Sequence, residues 1–137
     1  MQRHATAYWN GSGKVGRGGI CTQSTFLQDA HYSYNSRFGA APATNSEELL
    51  AAAHAMRFAL KLRFVLEAAG YLPDSLETTA TVSFETGAIT TSSLSLKARI
   101  AGLEEAAFAA CVEEAAQHSP ISKVLNAKIS VKSYLER

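Results

Sequence analysis

The chain holds only two thiols, Cys21 and Cys111. They lie far apart in sequence and form neither a disulfide framework nor a metal-binding spacing. Neither has a charged neighbour in sequence that would favour a thiolate. Of the four histidines, His4, His31, His54 and His118, no two have metal-ligand spacing. No metal and no cofactor is therefore expected. No serine sits in a Gly-x-Ser-x-Gly elbow. The richest set of chemically capable side chains is Glu47, His54, Arg57 and Lys61. On a helix at about 100° per residue they fall in one stripe, with the i,i+4 pair Arg63 and Glu67 on the opposite side. Two readings of the stripe stay open. It is a solvated face, or Arg57 and His54 line a pocket walled by Met56 and Phe58. Arg57 and Lys61 are like charges one turn apart, a repulsion that an anion would relieve. Glu47 lies roughly 15 Å from Arg57 along the axis, so the counter-charge must come from another segment, another subunit or a ligand.

These residues need a helix, and the sequence marks its ends. Asn45 is a good N-cap, with Glu48 three residues on to complete a capping box. Glu47 and Glu48 in the first turn suit the helix dipole. The helix is expected to run to about Ala69, with Gly70 as its left-handed cap and Pro73 blocking continuation. Before it, residues 3–9, 19–27 and 31–38 read as strands. Gly11, Gly13, Gly16, Gly18 and Gly19 punctuate a turn region, without the Lys-Ser/Thr pair or strand–helix context of a phosphate loop. A loop with Pro42 spans 39–43. After the helix, residues 76–85 read as a strand, and Glu85-Thr86-Gly87-Ala88 as a hairpin turn. Residues 88–101 alternate in polarity but slip phase near Thr91-Ser92, where a bulge is expected. A second helix covers 104–117. Ser119 caps a short third helix that opens on Pro120 and ends near Leu125. Residues 127–135 make the last strand.

The 137 residues suit one domain spanning 1–137. A formal net charge of +1 and the lack of a basic run argue against nucleic acid. The longest apolar stretch, around 49–66, is broken by His54, Arg57, Lys61 and Arg63, so no membrane span is expected. No apolar run follows Met1-Gln2-Arg3-His4, so no signal peptide is read and a reducing cytoplasm is the expected location.

Three segments together resemble the OsmC/Ohr family of osmotically inducible and organic-hydroperoxide-resistance proteins. They are Asn35-Ser36-Arg37-Phe38-Gly39, then Thr44-Asn45-Ser46-Glu47-Glu48-Leu49-Leu50 followed by Ala52-Ala53-His54-Ala55, and Ser119-Pro120-Ile121-Ser122-Lys123-Val124-Leu125-Asn126-Ala127. The resemblance implies an α+β fold with a long central helix wrapped by antiparallel sheets, in an intertwined homodimer. It also implies thiol-dependent reduction of organic hydroperoxides. There a cysteine becomes a sulfenic acid, a second cysteine condenses with it to a disulfide, and a dithiol restores both. Arg37 and Glu47 match the family's arginine–glutamate pair. If that pair is buried, removing one partner costs about 3–5 kcal/mol.

The thiols themselves do not match. Arg57 stands at the attacking-cysteine position and Ser119 at the resolving one. Arginine offers no nucleophile at neutral pH, and serine cannot resolve a sulfenic acid. The expectation is a homodimer that binds a small apolar anion or a hydroperoxide-like ligand without peroxidase turnover. Arg37, Glu47, His54, Met56, Arg57, Phe58 and Ser119 are its pocket candidates. The alternative is a hydroperoxide reductase using a displaced thiol, Cys21 or Cys111, although Cys111 reads as a small core residue.

Overall fold

The computed structural model describes residues 1–38 and 42–136. Gly39, Ala40 and Ala41 of the expected loop lie outside them. The fold is α+β. Its elements run β1 (Ala5–Asn10), β2 (Arg17–Thr22), β3 (Ala30–Tyr32), a 3₁₀ turn (Asn35–Arg37), α1 (Ser46–Ala68), β4 (Ser75–Glu85), β5 (Ala88–Arg99), α2 (Glu105–His118), α3 (Pro120–Val124) and β6 (Lys128–Glu136). Contacts gather into two compact units, Met1–Leu49 and Leu50–Arg137.

In the first unit, β1, β2 and β3 form an antiparallel sheet in that order. Two strands are shorter than their composition suggests. β2 stops at Thr22, whose N–H donates to the Leu27 carbonyl (2.9 Å) and whose carbonyl accepts from Thr25 (2.9 Å). β3 stops at Tyr32. Beyond it the Ser33 N–H donates to Ser36 Oγ (2.9 Å) and the Ser36 N–H to Ser33 Oγ (3.1 Å). Serine hydroxyls here take backbone groups that a longer strand would have paired.

The long helix starts and stops where its local signals place it. Asn45 Oδ1 accepts the Glu48 N–H at 2.7 Å. The expected capping box is only half made, because the Glu48 carboxylate accepts from Thr44 Oγ1 (2.9 Å). At the other end Gly70 has φ +92°. The Gly70 N–H donates to Glu67 O (3.0 Å) and the Tyr71 N–H to Leu66 O (2.9 Å), the paired bonds of a Schellman ending.

The second unit holds a sheet ordered β4-β5-β6. Thr86 (φ +50°) and Gly87 (φ +80°) turn the β4–β5 hairpin, as a type I′ turn requires. The register passes from Ser83↔Thr91 to Phe84↔Ile89, which leaves Thr90 as the extra residue of the bulge, one position before the expected site. β6 runs parallel to β5, so this sheet is mixed rather than purely antiparallel. The chain between them passes through α2 and α3, the kind of long crossover that parallel pairing needs.

On α1 the buried positions are His54, Phe58, Leu62 and Leu66, one face read every fourth residue. The last three share a core with Leu94, Leu96, Ile100, Leu103, Phe108 and Val112. Met56, Leu60 and Phe64 form a second apolar stripe that stays exposed. In urea unfolding, Asn45→Ala should lower stability by about 1 kcal/mol and Phe58→Ala by about 3–5 kcal/mol. A Phe58→Ala chain as stable as the parent would contradict this core assignment.

Candidate functional site

In the first unit the 3₁₀ turn brings Arg37 to the start of α1. Arg37 Nη2 lies 2.9 Å from Glu47 Oε1. The two side chains keep 32% and 19% of their surface exposed, so the pair is half-buried rather than fully enclosed. Burial alone pushes the Glu47 carboxyl upward. The backbone N–H of Glu47, the Ser46 hydroxyl and the Arg37 guanidinium together outweigh it and hold the carboxyl below the usual range.

In the second unit, His54 parts company with Arg57. It is fully buried. Its Nδ1 lies 2.6 Å from Ser92 Oγ on β5, and its Nε2 lies 2.9 Å from Ser122 Oγ on α3. Burial pushes the imidazole pKa down, so the neutral ring is favoured, with one nitrogen donating and the other accepting. The single stripe drawn from the sequence therefore splits. His54 lies on the core face with Phe58, while Arg57 is exposed. Phe58 is a core side chain with no exposed surface and Met56 is 64% exposed, so neither walls a pocket with His54.

Arg57 instead lines a cleft of about 220 Å³ with Leu60, Lys61, Phe64, His118 and Pro120. Among the described residues no carboxylate pairs with Arg57 or Lys61. Ser119 sits between His118 and Pro120, fully buried. Its backbone N–H donates to Ala115 O (3.0 Å) and its carbonyl accepts from Lys123 (3.1 Å), which joins the end of α2 to the start of α3. Its hydroxyl makes no capping bond and has no partner among the described residues. The expected side-chain cap is thus absent, because the backbone alone closes the junction.

The sequence reading missed Ser92, Ser122 and His118. The phase slip near Ser92 and the position of His118 beside Ser119 were the available signals. Nothing local shows that two serines would close on one imidazole.

The remaining thiols lie elsewhere. Cys21 Sγ accepts the Asp29 N–H at 3.3 Å, and no cation is among its described partners. Cys111 packs against the core of the second unit. Burial, then Glu114, pushes its thiol pKa up, which disfavours the nucleophilic thiolate. Among the described residues no cluster of His, Cys, Asp and Glu is arranged to hold a metal ion. No described helix is long and apolar enough to cross a membrane.

Comparison with known proteins places this geometry. The OsmC-like protein family model matches residues 39–133. Peroxiredoxin OsmC of Escherichia coli (strain K12) is 35% identical over 135 residues, covering 96% of this chain and 94% of that protein. The OsmC-like protein of Mycoplasma pneumoniae superposes with a TM-score of 0.79 at 14% identity, covering 100% of this chain and 99% of the other. The organic hydroperoxide resistance protein OsmC of Legionella pneumophila gives 0.68 at 23% identity, with coverage of 98% and 97%. The chain belongs to the OsmC-like family.

Three outcomes follow. Arg37→Ala or Glu47→Ala should cost about 1–2 kcal/mol in chemical unfolding, between an exposed and a buried pair. A loss as large as that of a buried pair would show that the guanidinium is more enclosed than described. Glu47 has a lowered folded pKa, so its contribution is present above the unfolded carboxyl value of about 4.3 and is lost as pH falls through the folded one. His54 also has a lowered folded pKa, and the unfolded ring takes up a proton below about pH 6.5 that the native ring resists. Stability should therefore fall from about pH 7.5 to 5.5 in thermal melts, and His54→Gln should flatten that slope. Equal slopes in the two proteins would remove His54 as its source. Ser119→Ala should be neutral or stabilising by up to about 1 kcal/mol, since it deletes an unpartnered hydroxyl.

Proposed function

We propose that this chain is a non-peroxidatic member of its stress-related family, a single OsmC-like domain that acts as a homodimer and binds a small amphiphilic anion. One observation carries the reading. At the position where the resemblance puts the attacking cysteine stands Arg57, and it lines a cleft that has cations and apolar walls but no thiol. His118 and Pro120, which flank the resolving position Ser119, line the same cleft. Arg57, Lys61 and His118 offer N–H donors to an anionic head. Leu60 and Phe64 offer surface to a short apolar tail. A guanidinium grips a carboxylate through two parallel hydrogen bonds, so a medium-chain carboxylate suits the cleft. The exposed stripe of Met56, Leu60 and Phe64 supports a second copy as partner, because an uncovered apolar helix face favours association.

The reading is tested by titrating octanoate into the protein by calorimetry, with light scattering to give the mass in solution. Saturable binding to a dimer is expected. Arg57→Ala should weaken it roughly tenfold or more, the worth of one charged hydrogen-bonding group. Absence of saturable binding, or binding indifferent to Arg57→Ala, counts against the cleft as the site.

A further inference from the structure

A second cleft lies wholly within the first unit and shares no lining residue with the Arg57 cleft. It has a volume of about 410 Å³ and is lined by Lys14, Val15, Gly16, Arg17, His31, Ser33, Asn35 and Ala43. We propose that it is a binding site for a phosphate group carried on a small molecule.

The sheet register brings Arg17 and the His31 ring together. Gly19 pairs with His31 and Gly18 with Tyr32. Arg17 and Gly19 are two apart on β2 and so point to the same face. His31 lies opposite Gly19 on that face. Gly19 adds no side chain, and a Cβ there would run into Tyr8 and the Asp29 carboxylate. Lys14 comes from the turn between β1 and β2. Gly16 fixes that turn, because a Cβ there would collide with the carbonyl oxygens of Asn10 and Ser12. The Gly16 N–H donates to Ser12 O at 2.8 Å. Lys14 and Arg17 are thereby held on either side of a tight backbone corner.

The charge balance points to an anion. Among the described residues the lining contains the cations Lys14 and Arg17, with the His31 ring as a further N–H donor, and no acid. Among the described residues neither Lys14 nor Arg17 pairs with a carboxylate. Asp29, the acid on this face, accepts the Tyr8 hydroxyl and is not part of the lining. The two like charges of Lys14 and Arg17 beside one concavity repel one another, and an anion between them relieves that repulsion. Ser33 and Asn35 add a hydroxyl and an amide, the neutral donors that commonly complete phosphate recognition beside Lys and Arg. The volume exceeds what a bare phosphate fills, which leaves room for an organic group.

The test uses the full chain and amide chemical shifts. Inorganic phosphate and then glycerol phosphate are added at constant ionic strength, with chloride as the control. Saturable shifts confined to residues 14–17, 31, 33 and 35 are expected at millimolar ligand or below, with glycerol phosphate the tighter. Lys14→Ala and Arg17→Ala, both at exposed positions, should each weaken binding roughly tenfold. Arg57→Ala should leave it unchanged, which separates this site from the octanoate cleft. Three results overturn the proposal. They are shifts equal in chloride, affinity indifferent to both substitutions, or shifts that follow protein concentration rather than phosphate and so mark a contact between copies.

Discussion

A histidine taken out of water must keep both ring nitrogens hydrogen-bonded, or it costs the fold more than it returns. His54 meets that demand with one serine from β5 and one from α3. Three elements that are distant in sequence are pinned at one point. The pin sits at the N-terminal end of a core face whose other members, Phe58, Leu62 and Leu66, are apolar. Apolar contacts hold α1 in place but specify its rotation and height loosely. Two directional bonds to one ring fix both.

The cleft depends on that constraint. Ser122 lies three residues after Ser119, so drawing it to His54 sets the α2–α3 junction next to α1. The junction presents His118 and Pro120 to the side of the helix that carries Arg57 and Lys61. Ser119 stays inside, its backbone closing both helices and its hydroxyl idle. At the two positions that the resemblance matches to the family's cysteines, this chain carries the exposed guanidinium of Arg57 and the buried hydroxyl of Ser119. The Ser119 hydroxyl has no role in thiol exchange. Burial holds Cys111 toward its thiol form.

What the sequence disclosed follows the reach of each signal. Asn45, Gly70 and the Thr86-Gly87 turn act on their own backbone, and all three stand where local chemistry puts them. The pairing of Arg37 with Glu47 also came through, carried by the family motifs. Failures began where tertiary contacts decide. Residues 31–38 read as one strand from the sequence, yet Ser33 and Ser36 bond to each other's backbone and end β3 at Tyr32. His54 and Arg57 look alike on a helical projection, but 60° of rotation separates a core face from solvent. The parallel pairing of β6 depends on the path of the crossover, which no local pattern records. Lys14, Arg17 and His31 are unremarkable as sequence and converge only through the β1–β2 turn and the strand register.

The most direct test of the account is the turnover of an organic hydroperoxide by purified protein with a dithiol reductant, run beside a Cys21→Ser/Cys111→Ser double variant. Both proteins should match the uncatalysed background. Turnover by the parent that vanishes in the double variant would contradict the account, because it would make Cys21 or Cys111 a working thiol.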